Sequence, residues 1–105
     1  MRMWLVDPKH LCNKHLCGEH VEMHMAAACI DMDKNIQGYL DKGLLNPALI
    51  PQRHDELVRE MIKRGMNHKS PINQWYARLI SLGNINVKEN EKELKRRCKN
   101  CFKER

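Results

Sequence analysis

Titratable side chains crowd the stretch from His15 to His24. On a helix, His15, Glu19 and Glu22 fall at i, i+4 and i+7 and share one face, with His20 and His24 on the face beside it. Carboxylates and imidazoles grouped in this way can pass protons at a reacting centre. The plainer reading is that they decorate the solvated side of an amphipathic helix that packs through Leu16, Val21 and Met25.

A second group with chemical potential lies near the other end. Cys98-Lys99-Asn100-Cys101 is a Cys-x-x-Cys, half of a tetrahedral zinc site, which Cys12 and Cys17 or His10 and His24 would complete. A structural zinc there ties the C-terminal region to the N-terminal one and supports a small core. Against it stands a simple alternative, two thiols at i and i+3 on a helix with one facing the core. His20-Val21-Glu22 together with Cys98 and Cys101 has the outline of a zinc deaminase signature. Arg97 stands where that signature has proline, however, the separation is long, and central strands are missing. A redox role for the cysteine pair is disfavoured because no strand precedes it.

These groups need a scaffold, and the composition limits its kind. The chain has 105 residues, 42% of them hydrophobic and 30% charged, which suits one globular domain spanning residues 1–105 with a modest core. No apolar run approaches the roughly 18 residues of a bilayer span, and the longest, Met25 to Ile30, is mostly alanine. The opening hydrophobic residues are too few for a signal peptide and stop at Asp7-Pro8. An odd count of five cysteines then argues for thiols or metal ligands in a reducing compartment, not for a disulfide framework. The net charge of +6 is compatible with nucleic-acid binding and equally with a solvated basic face.

The expected fold is all-α, a single compact domain of about three to five helices. A short turn should begin at Pro8 with Asp7 as its cap. A long helix follows over Asn13 to Ile30, capped by Asn13 and containing Gly18, a poor helix former that allows a close approach. Asn35 to Lys42 suits two turns ended by Gly43. Arg53 to Arg64 carries an apolar stripe of Leu57, Val58, Met61 and Ile62 and is stopped by Gly65. Ser70-Pro71 opens another helix from Ile72 to Leu82. A last helix over Val87 to Lys103 lies in a mostly charged stretch: residues 87–105 hold eight Lys or Arg against four Glu.

Two blocks resemble a known family. His15-Leu16-Cys17-Gly18-Glu19-His20-Val21-Glu22-Met23 is similar to His-Leu-Met-Ala-Glu-Tyr-Arg-Glu-Leu of the pyrimidine dimer DNA glycosylases typified by phage endonuclease V. Glu56-Leu57-Val58-Arg59-Glu60-Met61-Ile62-Lys63-Arg64-Gly65-Met66-Asn67-His68-Lys69 resembles the same family's Glu-Leu-Ile-Ala-Glu-Cys-Leu-Lys-Arg-Gly-Phe-Asn-Ile-Lys. The opening residues, Met1 to Lys9, look like those of its shorter cellular members. An arginine in second position and an ungapped distance to the histidine add to the likeness.

The resemblance implies a glycosylase with an associated lyase activity at abasic (AP) sites. An amine attacks the anomeric carbon of the damaged nucleotide, a Schiff base forms, and β-elimination cleaves the strand. An α-amine has an unperturbed pKa of about 8, so a usable fraction is neutral at physiological pH. Met1 would supply it, since bulky Arg2 should preserve the initiator residue once it is deformylated. Glu22 aligns with the family's catalytic glutamate and would steady the cationic sugar and shuttle protons. The DNA-binding residues it implies are Arg2 and His15, which match phosphate- or sugar-contacting positions, Lys14 where the family has a glutamine, His20 where it has a tyrosine, and Lys69, which matches a basic residue after the Lys-Arg-Gly turn. The N-terminus must then fold back onto the long helix, an approach that Gly18 would ease. No cofactor is required for this chemistry. The expected partner is damaged double-stranded DNA, with no membrane involved, acted on by a monomer in the cytoplasm at the nucleoid.

There are departures. The family's phage member has arginines, thought to grip the backbone of the lesion, where this chain has Val21 and Met25. It also carries an aromatic tail that Trp75-Tyr76 are poorly placed to replace. These losses leave open an abasic-site lyase or a glycosylase for another lesion. From a different class, a basic DNA-binding module without catalysis, stapled by zinc, would fit the same composition.

Overall fold

An aspartate before a proline sets the first turn. Asp7 Oδ1 accepts the Lys9 backbone N–H at 3.1 Å, and Pro8 opens a 3-10 turn over Pro8–His10, where its missing N–H is no loss. The computed structural model describes residues 1–68, 71–72 and 85–103. Every regular element among them is helical: α1 (Asn13–Asp31), α2 (Gln37–Asp41), a second 3-10 turn (Pro47–Leu49), α3 (Ile50–Lys63) and α4 (Val87–Arg97). The architecture is all-α, as the patterning requires. The helix expected over 72–82 lies, beyond Ile72, outside the described residues, as do Lys69, Trp75 and Tyr76.

The helix ends follow local chemistry. After α3, Gly65 takes a φ of +82°, its N–H reaches Ile62 O, and the Met66 N–H reaches Met61 O at 2.9 Å. This paired closure needs a left-handed residue, which glycine supplies without strain. Gly43, at φ +67°, closes α2 in the same way. The start of α1 differs from expectation. The cap is Cys12, whose Sγ accepts the His15 backbone N–H at 3.5 Å, and Asn13 is already helical.

α1 packs on α3, and the buried faces are only partly the ones read from the sequence, since Leu16, Leu57 and Met61 are buried as expected. On α1 they are Leu16, Glu19, His20, Met23, Ala26 and Ala27, while Val21 and Met25 are 53% and 50% exposed. On α3 they are Ile50, Arg53, His54, Leu57 and Met61, and Ile62 is 61% exposed. The stripe is rotated because polar groups find partners across the interface. Arg53 Nε and Nη2 donate to the two Glu19 carboxylate oxygens at 2.5 and 2.9 Å, with both side chains shut off from water. Around this pair sits an apolar core that includes Met3, Val6 and Leu11 from the N-terminal segment and Leu94 from α4. Truncating such a side chain, Leu57→Ala for example, costs about 2–5 kcal/mol.

Arg64 ties the end of α3 to the start of the chain. Its guanidinium donates to Leu11 O at 2.7 Å, Pro8 O at 3.2 Å and Asn13 Oδ1 at 2.9 Å, and to Glu60 at 2.8 Å. α4 stops at Arg97, earlier than the charge run suggests. Cys98 is extended, and the chain turns back until the Phe102 N–H reaches His10 O at 2.5 Å and the two rings stack. Cys98 and Cys101 therefore sit on a turn, which removes the reading of two thiols along a helix.

Candidate active site

The first residues form an irregular segment, with Leu5 at a φ of +57°, held by backbone and side-chain donors. The Met3 N–H donates to Leu44 O at 2.7 Å. Asn90 of α4 donates through Nδ2 to Trp4 O at 2.8 Å and Met3 O at 3.3 Å, and its Oδ1 accepts Arg2 Nη2 at 2.8 Å. A buried asparagine with both ends engaged fixes the segment to the helix beneath it. Arg2 lies over the Trp4 ring at 4.0 Å and Arg97 approaches the same ring at 5.9 Å, so the indole is flanked by two guanidinium groups.

This tethering brings the N-terminus to Glu22. The Glu22 carboxylate feels the charge of the Met1 ammonium and the Arg2 backbone N–H. Burial raises its pKa above the ordinary carboxylate value, and Glu19 adds to the rise. The Met1 ammonium, the Arg2 N–H and the Arg2 guanidinium pull the other way without cancelling it. An α-amine beside a partly desolvated carboxylate is a pairing able to pass protons between its members.

Glu22 lines an open cleft of about 580 Å³, walled also by Arg2, Trp4, Lys14, His15, Glu19, Val21 and Arg97. Arg2, Lys14 and Arg97 make the rim basic. Arg2 Nε is buried with no hydrogen-bond partner among the described residues, a donor left for something that enters. Burial lowers the pKa of Arg2, helped by Arg97 and opposed by Glu93 and Glu22. Burial also lowers that of His15, reinforced by Lys14 and Arg97, which disfavours its protonated form. Gly18 opens onto the cleft, and a Cβ built there meets nothing within 4 Å. The glycine thus keeps the cleft wall low and is not pressed by the N-terminal segment as expected.

His15 has a second neighbourhood. Its Nδ1 is 3.1 Å from Cys12 Sγ, which is 3.8 Å from Cys98 Sγ, and the Cys12 N–H donates to Cys101 Sγ at 3.3 Å. One ligand atom from each of Cys12, His15, Cys98 and Cys101 lies within 4.8 Å of the others. The side chains that lie beside the Cys-x-x-Cys are those of Cys12 and His15. Cys17 instead faces Met66 at 3.7 Å, and His10 stacks on Phe102. Burial pushes the Cys98 thiol up, but the backbone N–H groups of Asn100 and Cys101 and the nearby thiols outweigh it and leave it below its ordinary value. Burial pushes Cys101 up to about 12.

Of the residues singled out in sequence, Arg2, Lys14, His15 and Glu22 line the cleft, and the charge of Met1 is felt at Glu22. His20 does not line it. It is buried among His24, His54 and His68, where burial first and then the three rings bring its pKa down to about 4. Val21 does line the cleft, as an exposed apolar side chain. Asn90 and Arg97 were missed, because a charge run gives no hint of which of its members will face a site.

A family model described as pyrimidine dimer DNA glycosylase matches residues 1–74 of the chain, a stretch that holds Met1, Glu22 and most of the cleft but ends before Asn90, Arg97 and the Cys-x-x-Cys. Curated proteins and solved structures give no match.

Proposed function

Since the chain belongs to the pyrimidine dimer DNA glycosylase family, we propose that it cuts damaged duplex DNA through a Schiff base on the Met1 α-amine, with Glu22 as the proton-transfer group. The observation that carries this reading is the electrostatic pairing of Glu22, which lines a basic cleft, with the Met1 ammonium, whose charge its carboxylate feels.

The steps follow from that pairing. Glu22 takes a proton from the ammonium, and the neutral amine attacks C1′ of the damaged nucleotide. The glycosidic bond breaks and its electron pair leaves with the base, which takes the proton lost by the substituted amine; Glu22 hands its own proton to O4′ as the C1′–O4′ bond opens, and the iminium so formed is steadied by the carboxylate, ionised again. Loss of a proton from C2′ expels the 3′ phosphate, which is β-elimination, and water then releases the sugar from Met1. Arg2, Lys14 and Arg97 would hold phosphates, and the buried Arg2 Nε would gain the acceptor it lacks. C1′ is out of reach in stacked DNA, so the nucleotide or its partner must leave the helix, and the cleft gives it a place. His15 would approach the sugar as a neutral imidazole. His20, enclosed by other histidines, is a poorer candidate for contact with DNA. The test is Glu22→Gln: turnover should disappear while DNA affinity remains, whereas a binding module without catalysis would have no turnover to lose.

A second reading concerns the lesion. Val21 and Met25 stand half-exposed where the family's phage member places arginines. An apolar wall grips phosphates less well than guanidinium groups, which favours abasic sites or another lesion over a dimer in an otherwise rigid duplex. Comparing cleavage of dimer-bearing and abasic duplexes, and repeating it with Val21→Arg/Met25→Arg, separates the two. Recovery of dimer cleavage in the variant supports the second reading.

Zinc at Cys12, His15, Cys98 and Cys101 belongs to the same proposal as a structural staple. The 3.8 Å between the Cys12 and Cys98 sulfurs matches the edge of a tetrahedron with metal–sulfur bonds of about 2.3 Å. Such an ion would lock the end of α4, and with it Arg97, to the start of α1.

A further inference from the structure

Four histidines meet at a place that the cleft does not use. His20 and His24 project from α1 one turn apart, His54 comes from α3, and His68 from the chain just past it. One ring nitrogen from each lies within 4.8 Å of the other three. No carboxylate or thiolate is part of the set.

The detail of the rings argues against ordinary core packing. His20 Nε2 and His68 Nε2 are buried with no hydrogen-bond partner among the described residues. Buried polar atoms nearly always have partners, and two orphans in one cluster call for an explanation. His54 Nε2 and His24 Nε2 stand 3.2 Å apart. The other nitrogen of His54, Nδ1, lies 3.1 Å from the Asp55 carboxylate. A carboxylate that takes the N–H on one side of an imidazole turns the lone pair on the other side toward the cluster, the arrangement common behind metal-bound histidines.

We infer that His20, His24, His54 and His68 form a second metal site, an all-imidazole centre for a divalent transition ion such as zinc. The spacing suits this. Nitrogens bonded to zinc at about 2.0–2.1 Å stand about 3.3–3.4 Å apart in a tetrahedron, and the His24–His54 pair is near that already. Modest side-chain rotation brings the wider pairs onto the same centre. Imidazole ligands without carboxylate oxygen exclude magnesium and calcium and suit zinc, copper or nickel. Four protein ligands leave no open position, so the role is structural. The ion would join α1 to α3 and to the segment after it. Its two α1 ligands flank Glu22 in sequence, so it would also steady the turn that presents the carboxylate. The site stands on its own geometry and does not depend on the glycosylase reading.

The test is cobalt loading of the full chain after chelation, read by metal analysis and visible absorption. Wild-type protein and a Cys98→Ser/Cys101→Ser variant are compared with a His20→Gln/His68→Gln variant. The cysteine variant should still take up one equivalent of cobalt, with visible ligand-field bands and no sulfur-to-metal charge-transfer band. The histidine variant should bind one equivalent fewer than wild type. The inference is overturned if the cysteine variant, helical by circular dichroism, binds no cobalt, or if the histidine variant binds as much as wild type. Should the histidine variant not fold, the cysteine variant alone decides.

Discussion

Asn90 Oδ1 accepts the Arg2 guanidinium at 2.8 Å, from a helix that lies beyond the part of the chain matched by the family. The same side chain donates to Trp4 O and Met3 O, so α4 holds the residues next to the proposed nucleophile. Asn90→Ala should leave those carbonyls unpaired and lower stability by about 1–3 kcal/mol. It should also slow Schiff-base formation on bound DNA more than it weakens binding. Denaturant melts and single-turnover trapping measure the two effects. Unchanged trapping would show that the tether is irrelevant to chemistry.

The buried Glu19–Arg53 pair makes a separate prediction about the frame. Removing one partner strands a charge in the core, so Arg53→Ala should destabilise the fold by about 3–5 kcal/mol. Replacing both by apolar residues of similar size, Glu19→Leu/Arg53→Met, should restore most of the loss. Urea midpoints of the single and double variants test this, and additive losses would contradict it.

Phosphate contacts can be counted. Lys14→Ala and Arg97→Ala should each weaken binding to all duplexes alike and reduce the slope of log affinity against log salt by about 0.9. A variant that changes affinity with an unaltered slope would remove its residue from the DNA-contacting set.

Acid behaviour should report on α4. Arg96 and Arg97 donate to the Glu93 carboxylate and hold its pKa at about 2. The folded value lies below the unfolded one, so the pairing favours the fold at neutral pH. That contribution fades as pH falls from the ordinary glutamate range toward about 2. Carboxyl NMR of Glu93 should show this low midpoint, and it should rise in Arg97→Ala. A midpoint in the ordinary range would mean that Arg97 is not held by Glu93 beside the cleft.

Much of the frame could be read from sequence, because caps and stops are local. Asp7-Pro8, Gly43 and Gly65 each do what their neighbours demand. The faces were harder. Periodicity placed Ile62 inside and gave no reason to bury Arg53 or His54, whose partners, Glu19 and His24, sit on another helix. The cap at Cys12 was missed because a thiol is not a usual cap. Cys98 and Cys101 were legible as a half-site. His15 was not seen as their companion, since nothing in its local sequence joins it to a turn near the other end of the chain. Met1 and Glu22 were paired through the family resemblance, and their physical juxtaposition depends on Asn90 and Leu44, contacts too distant in sequence to be anticipated.

The central claim is that the Met1 amine becomes covalently bound to the damaged sugar. The direct measurement uses protein with a native, untagged N-terminus, a duplex bearing one thymine dimer or one abasic site, and borohydride to reduce the imine. The account predicts a protein–DNA adduct whose peptide mass places the sugar on Met1. An abasic-only adduct would keep the lyase and move the lesion preference. No adduct on either duplex, with binding intact, would contradict the account.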